Sequence, residues 1–183
     1  THLLSILFGS TLAASIEEVF FRGLLLGSLA AHLRWPTAAW VTSALYAGVH
    51  LLASDPGFAV RGFEPGAGFR YLGHALARQL EPAALPPLAG LFLAGLVLAL
   101  VVRLTGSLYF AVGLHAGWAA SFRIVRRATH VLAEIPGTSF LATHHYLVGT
   151  PWAWAAIALA GALVHAGFAL AARRRSPAPR EAG

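Results

Sequence analysis

The chain has 183 residues, of which 57% are hydrophobic and only 11% charged, and its mean hydropathy is +0.68. A soluble domain carries about 25% charged residues, so this composition excludes an ordinary soluble enzyme and predicts an all-α, polytopic transmembrane helix bundle. Cysteine is absent, which removes disulfides, thiol nucleophiles and thiolate metal sites. The formal charge of +6 is carried wholly by arginine and reads as loop charge facing lipid headgroups, with no basic soluble module for nucleic acid.

Methionine is also absent, so Thr1 is not expected to be a natural start and the chain is read as a fragment or a processed form. One domain is expected over residues 1–175, with a polar tail over 176–183. About five spans are expected in it. The first is Leu3–Leu33, long enough to cross a bilayer, which takes ~20 apolar residues. Arg34-Trp35-Pro36 closes it as an interfacial turn. The second runs from Thr37 to Ala53 and ends at the turn Ser54-Asp55-Pro56-Gly57. Residues 54–87 read as an aqueous or interfacial loop, with a short helix from Phe69 to Leu80 whose apolar stripe is Phe69, Leu72, Leu76 and Leu80. Leu88–Val102 and Ser107–Ser121 are the third and fourth spans. A mixed segment, Ala128–Thr150, precedes the fifth, Pro151–Ala172. Arginines divide evenly between the two membrane sides; only the triplet Arg173-Arg174-Arg175 favours a cytoplasmic C-terminus.

Within the first span lies Glu17-Glu18-Val19-Phe20-Phe21-Arg22. Charges at that depth cost ~2.5–3.5 kcal/mol each on insertion scales, so they persist where they work. Glu18 and Arg22 are four residues apart and form an ion pair on one face. Glu17 points about 100° away and is left to face something else. The preceding Ser10, Thr11, Ala13, Ala14 and Ser15 are small enough for another helix to approach closely.

Two of the nine histidines lie inside spans at a matching depth. At 1.5 Å per residue, Glu17 lies ~26 Å before the turn near Arg34 and His50 ~22 Å after it. His115 lies ~14 Å beyond the turn near Thr105, a shortfall that helix tilt can absorb. Tyr46 shares the face of His50, and Trp118 and Ala119 share that of His115. His165 is read as a packing residue. A glutamate with two imidazoles can activate a water, the glutamate as general base, one histidine holding the water and the other donating to the oxyanion. No cofactor is needed for that chemistry. The same Glu17, His50 and His115 can instead form a His-His-Glu zinc site with an open fourth position, ranked second because no HExxH pair supports it.

These segments resemble the CPBP family, the type II CAAX prenyl endopeptidase and bacteriocin-processing membrane proteases. Glu17-Glu18-Val19-Phe20-Phe21-Arg22 is similar to its EExxxR motif. Tyr46 to His50 is similar to FxxxH, with tyrosine for phenylalanine, and His115 to Ala119 to HxxxN. The resemblance covers about Leu3 to Phe122. It implies an intramembrane endopeptidase in which Glu17 and His50 activate water and His115 supports the oxyanion. With Glu18 these are the expected catalytic residues, and Arg22, Tyr46 and Trp118 are expected to support them. The implied partner is a membrane-anchored protein or peptide in the lipid bilayer. Some bacterial relatives trim C-terminal anchor tags, and the alanine- and arginine-rich composition suits a bacterial inner membrane. Ala119 stands where the family has asparagine, and the chain contains no asparagine at all. A non-catalytic scaffold or immunity-type protein of the same fold is the alternative that this departure raises. A proton-coupled transporter is disfavoured by the lack of a repeated broken-helix pair.

Overall fold

The computed structural model describes residues 2–50, 52, 58–60, 62–128 and 147–175. The turn at Ser54–Gly57, most of the mixed segment after Ala128 and the polar tail lie outside the described residues. All the described regular structure is helical. Helix α1 (His2–Glu18) passes without a break into a π-helical stretch, Val19–Leu25, and then α2 (Leu26–Ala30). Helix α3 (Trp35–His50) returns, α4 (Ala67–Gln79) lies in the expected loop, and α5 (Leu85–Thr105), α6 (Leu108–Ala128) and α7 (Pro151–Arg175) complete the bundle.

Four of the described stretches are long and apolar enough to cross a membrane: His2–Ala30, Pro82–Thr105, Leu108–Arg127 and Pro151–Ala171. Among the described residues the expected second span forms 16 helical residues, about 24 Å. Two carbonyls of its last turn accept hydrogen bonds from side chains. His50 Nδ1–H donates to the Tyr46 carbonyl at 2.9 Å, and the Gln79 amide of α4 donates to the Gly48 carbonyl at 2.9 Å. Gln79, the only side-chain amide in the chain, thus caps α3 and pins α4 to it. The apolar stripe is exposed, Phe69 on α4 at 83% and Leu80 just beyond its end at 86%.

Helix α5 is the centre of the packing. It lies against α3, α6 and α7, and its Ala94, Val97, Leu98 and Val101 form a core with Ala111 of α6 and Ile157 of α7. Where α3 crosses it, Gly95 has no room for a side chain: a Cβ there would stand 2.8 Å from the Ser43 Cβ. At its end Gly106 adopts φ +65 and donates to the Val102 carbonyl at 2.8 Å. This left-handed C-cap reverses the chain into α6 with only Ser107 between. Helix α1 runs antiparallel to α6 along its buried face, Ile6, Ser10, Ala14 and Glu18, at four-residue spacing. His165, expected to pack, is instead exposed on α7.

Candidate active site

The π-helical stretch opens immediately after Glu17 and Glu18. Such wider turns recur at functional sites because they re-aim side chains without ending a helix. Here Phe21 and Arg22, consecutive in sequence, are both turned inward, 5% and 4% exposed. Arg22 Nη1 donates to Glu18 Oε1 at 2.8 Å, as the spacing predicts, and Nη2 donates to the Gly95 carbonyl at 3.3 Å. The Tyr46 ring lies 4.4 Å from the guanidinium carbon. The bare backbone at Gly95 that lets α3 approach α5 therefore also leaves a carbonyl open to the arginine.

Glu18 has a second partner that the sequence did not reveal. His115 Nδ1–H donates to the same Oε1 at 2.8 Å, so Glu18, wholly buried, joins Arg22 to a histidine 97 residues further on. The depth shortfall of His115 is thereby closed. Its other nitrogen, Nε2, lies 3.2 Å from the Tyr46 hydroxyl, which donates to it, and 3.7 Å from Glu17 Oε2. His50 Nε2 approaches the same Glu17 Oε2 at 3.1 Å.

Three of the expected groups therefore converge. Glu17, His50 and His115 each bring one ligand atom, all within 4.8 Å of one another. Both imidazoles spend their Nδ1 proton outward, on the Tyr46 carbonyl and on Glu18, so in the neutral form each turns an Nε2 lone pair toward Glu17. The approach of His50 to Glu17 is close but poorly directed, and Glu17 Oε2 has no hydrogen bond among the described residues. Glu17 remains partly open, its side chain 31% exposed, while Glu18 is sealed.

The remaining candidates fall elsewhere. Trp118 packs against the core cluster around Leu98 and Ile157 and supports the position of α6. Ala119 lies one turn beyond His115, half-buried and without a polar atom to offer.

The family model for type II CAAX prenyl endopeptidase Rce1-like proteins matches residues 1–121. The chain belongs to this family. The EExxxR motif at Glu17–Arg22 and the positions similar to FxxxH (Tyr46–His50) and HxxxN (His115–Ala119) all fall within the matched residues. Membership makes the chain a CAAX-type peptidase at the level of the family, and with four apolar helices of crossing length it is an integral membrane protein. No curated protein and no solved structure matches it significantly.

Proposed function

We propose that this Rce1-like protein hydrolyses a peptide bond near the C-terminus of a membrane-anchored protein, with Glu17 as the base that activates water. The observation that carries this reading is the convergence of Glu17 Oε2 with two imidazole lone pairs. Three acceptors facing one another require protons between them. Tyr46 supplies one, on His115. A single water supplies two more, one toward Glu17 and one toward His50, and the count closes.

The reaction follows from that arrangement. Glu17 takes a proton from the water as its oxygen bonds to the scissile carbonyl carbon, and His50 holds the water by its second hydrogen. The carbonyl oxygen becomes an oxyanion and needs a donor. Neutral His115 cannot serve, because its one proton is on Nδ1 and faces Glu18. The Tyr46 hydroxyl, buried beside it, can turn from His115 Nε2 to the oxyanion. As the tetrahedral intermediate collapses, the C–N bond breaks and the proton held by Glu17 passes to the leaving amine. The two departures from the family pattern then compensate: the tyrosine hydroxyl at position 46 replaces the donor that Ala119 lacks.

Tyr46→Phe is accordingly expected to lower kcat about 10²–10³-fold, the usual cost of one oxyanion donor. Ala119→Asn introduced into that variant is expected to restore part of the loss. No loss in Tyr46→Phe would remove Tyr46 from the mechanism.

Zinc is a second reading that the geometry also favours. The three ligand atoms fit one ion, and each histidine is oriented by an outer partner in the manner of metal-ligating imidazoles. Zinc held by Glu17, His50 and His115 would act as a Lewis acid toward water. It would also have to displace the Tyr46 hydroxyl from His115 Nε2, which ranks it below the glutamate mechanism. The deciding measurement is cleavage of lipid-anchored proteins with C-terminal tags by purified protein in nanodiscs, with and without a zinc chelator. Chelator-insensitive cleavage is expected. Loss of cleavage on chelation, restored by added zinc, would overturn the glutamate reading. Absence of cleavage over a broad tag panel would favour a non-catalytic scaffold.

A further inference from the structure

The two histidines of the site are held in unequal ways. His115 lies within α6, and its ring is gripped by two other elements, through Glu18 at 2.8 Å and the Tyr46 hydroxyl at 3.2 Å. His50 is the last residue of α3. Apart from its approach to Glu17, the bonds and ring contacts of its side chain among the described residues are to its own helix, at the Tyr46 carbonyl and the Tyr46 ring. A side chain at a helix end is placed less firmly than one in mid-helix, because the end turn frays. The firmness that His50 needs has to come from outside α3.

Helix α4 supplies it. In a continuing α-helix the Leu52 N–H would donate to the Gly48 carbonyl, four residues back. It donates to the Val49 carbonyl at 3.1 Å, and the Gly48 carbonyl takes the Gln79 amide at 2.9 Å. The Leu52 carbonyl in turn accepts from the Tyr71 hydroxyl at 3.2 Å. Tyr71, Ala75 and Gln79 follow one another at four-residue spacing and so share one face of α4. Ala75 is buried and the other two are half-buried, whereas Phe69, Leu72 and Leu76 stay exposed. The two acceptors, Gly48 and Leu52, stand two residues to either side of His50. The inner face of α4 therefore fastens the backbone both before and after the histidine.

We infer that Gln79 is a positioning residue for His50. Through the Gly48 carbonyl it fixes the end of α3, and with it the 3.1 Å approach of His50 Nε2 to Glu17 Oε2. Tyr71 is the second point of attachment. Helix α4, which is not one of the helices of crossing length, thereby becomes part of the machinery that aligns the water. A displacement of about 1 Å at such a site costs about 10²-fold in rate, even when its cause lies away from the reacting atoms. The expected effect on turnover rests on the proteolytic reading above; the effect on the ring of His50 does not.

Two readouts on the full chain in nanodiscs test this separately. One is cleavage of the tagged substrate. The other is the proton–carbon resonance of the His50 ring in histidine-labelled protein, assigned by its absence from His50→Gln. Gln79→Met keeps the length of the side chain and loses the donor. It is expected to lower kcat about 10-fold to 10²-fold with KM unchanged. The His50 resonance is expected to broaden or split while that of His115 stays in place. Gln79→Lys, which keeps a donor, is expected to recover part of the turnover and the single resonance. Adding Tyr71→Phe to Gln79→Met is expected to deepen both effects. An unchanged His50 resonance in Gln79→Met would overturn the inference whatever the turnover, and a lower unfolding midpoint alone would then leave Gln79 a purely structural residue. A loss as deep in Gln79→Lys as in Gln79→Met would exclude the hydrogen bond as its cause and overturn the inference too. So would a rise in KM at wild-type kcat, which would make Gln79 a substrate contact. A His50 resonance that depends on Gln79 in a protein that cleaves nothing would support the positioning role and reject the protease.

Discussion

Glu17→Gln is expected to lower kcat on a lipid-anchored, C-terminally tagged substrate by about 10²–10⁴-fold, the range that a positioned general base contributes. The amide keeps the shape of the carboxylate, so KM should change little. It cannot accept the water's proton, so the attacking hydroxide never forms. The fold should survive. Glu17 is partly open to solvent, and its close neighbours are two histidines whose Nδ1 atoms are each held by another residue. Helix content by circular dichroism and the elution position in detergent should match the wild type, which separates lost chemistry from lost structure. The scaffold reading predicts the opposite, with biological function unchanged by the substitution. Retention of more than a tenth of wild-type turnover would exclude Glu17 as the base. Glu18→Gln does not offer the same test, because Glu18 is sealed under Arg22 and His115 and cannot reach a substrate.

The meeting of Glu17 with His50 and His115 was legible in the sequence for a simple reason. Ionisable residues are scarce in the spans, and a constant rise per residue places each at a depth that can be counted from the nearest turn. The Glu18–Arg22 pair was legible from its spacing alone. The π-helical turn was not, because Val19–Leu25 is apolar apart from Arg22 and Gly23 and has no periodicity to break. Nor was the link from Glu18 to His115, which depends on how far α6 tilts and rotates against α1. The Gly95 carbonyl that receives Arg22 carries no side-chain signal, since backbone acceptors are present at every residue. The bonds of the last turn of α3 were hidden for a different reason: Leu51 and Leu52 continue the apolar run, and the side-chain bonds to the Tyr46 and Gly48 carbonyls, one of them from Gln79 of another helix, leave no mark in it. Trp118 shares a helix face with His115 in projection, yet a ring that large finds its place in the interhelical core beside Leu98.

The buried pair should separate stability from activity. Arg22→Met removes the main counter-charge of a carboxylate that is wholly inaccessible, leaving His115 as its one partner, and is expected to destabilise the bundle by about 3–5 kcal/mol. Glu18→Leu leaves Arg22 with the Gly95 carbonyl and the Tyr46 ring but no anion, and should cost a similar amount. The double variant Glu18→Leu/Arg22→Met removes both charges for apolar groups of similar volume. Breaking one half of a buried pair is far more costly than replacing both halves, so the double variant is expected to recover most of the stability, read as the midpoint of denaturant unfolding in micelles. It should not recover turnover. Without Glu18 Oε1, His115 loses the acceptor that fixes its Nδ1 proton, and the tautomer that turns a lone pair toward Tyr46 and Glu17 is no longer enforced. A double variant as unstable as either single would mean that the charges themselves, and not their mutual compensation, hold the helices together. A double variant as active as the wild type would mean that the Glu18–His115 bond has no part in the chemistry. The expected result, a stable and inactive protein, would show that the same carboxylate serves packing through Arg22 and catalysis through His115, and that only the second role requires its charge.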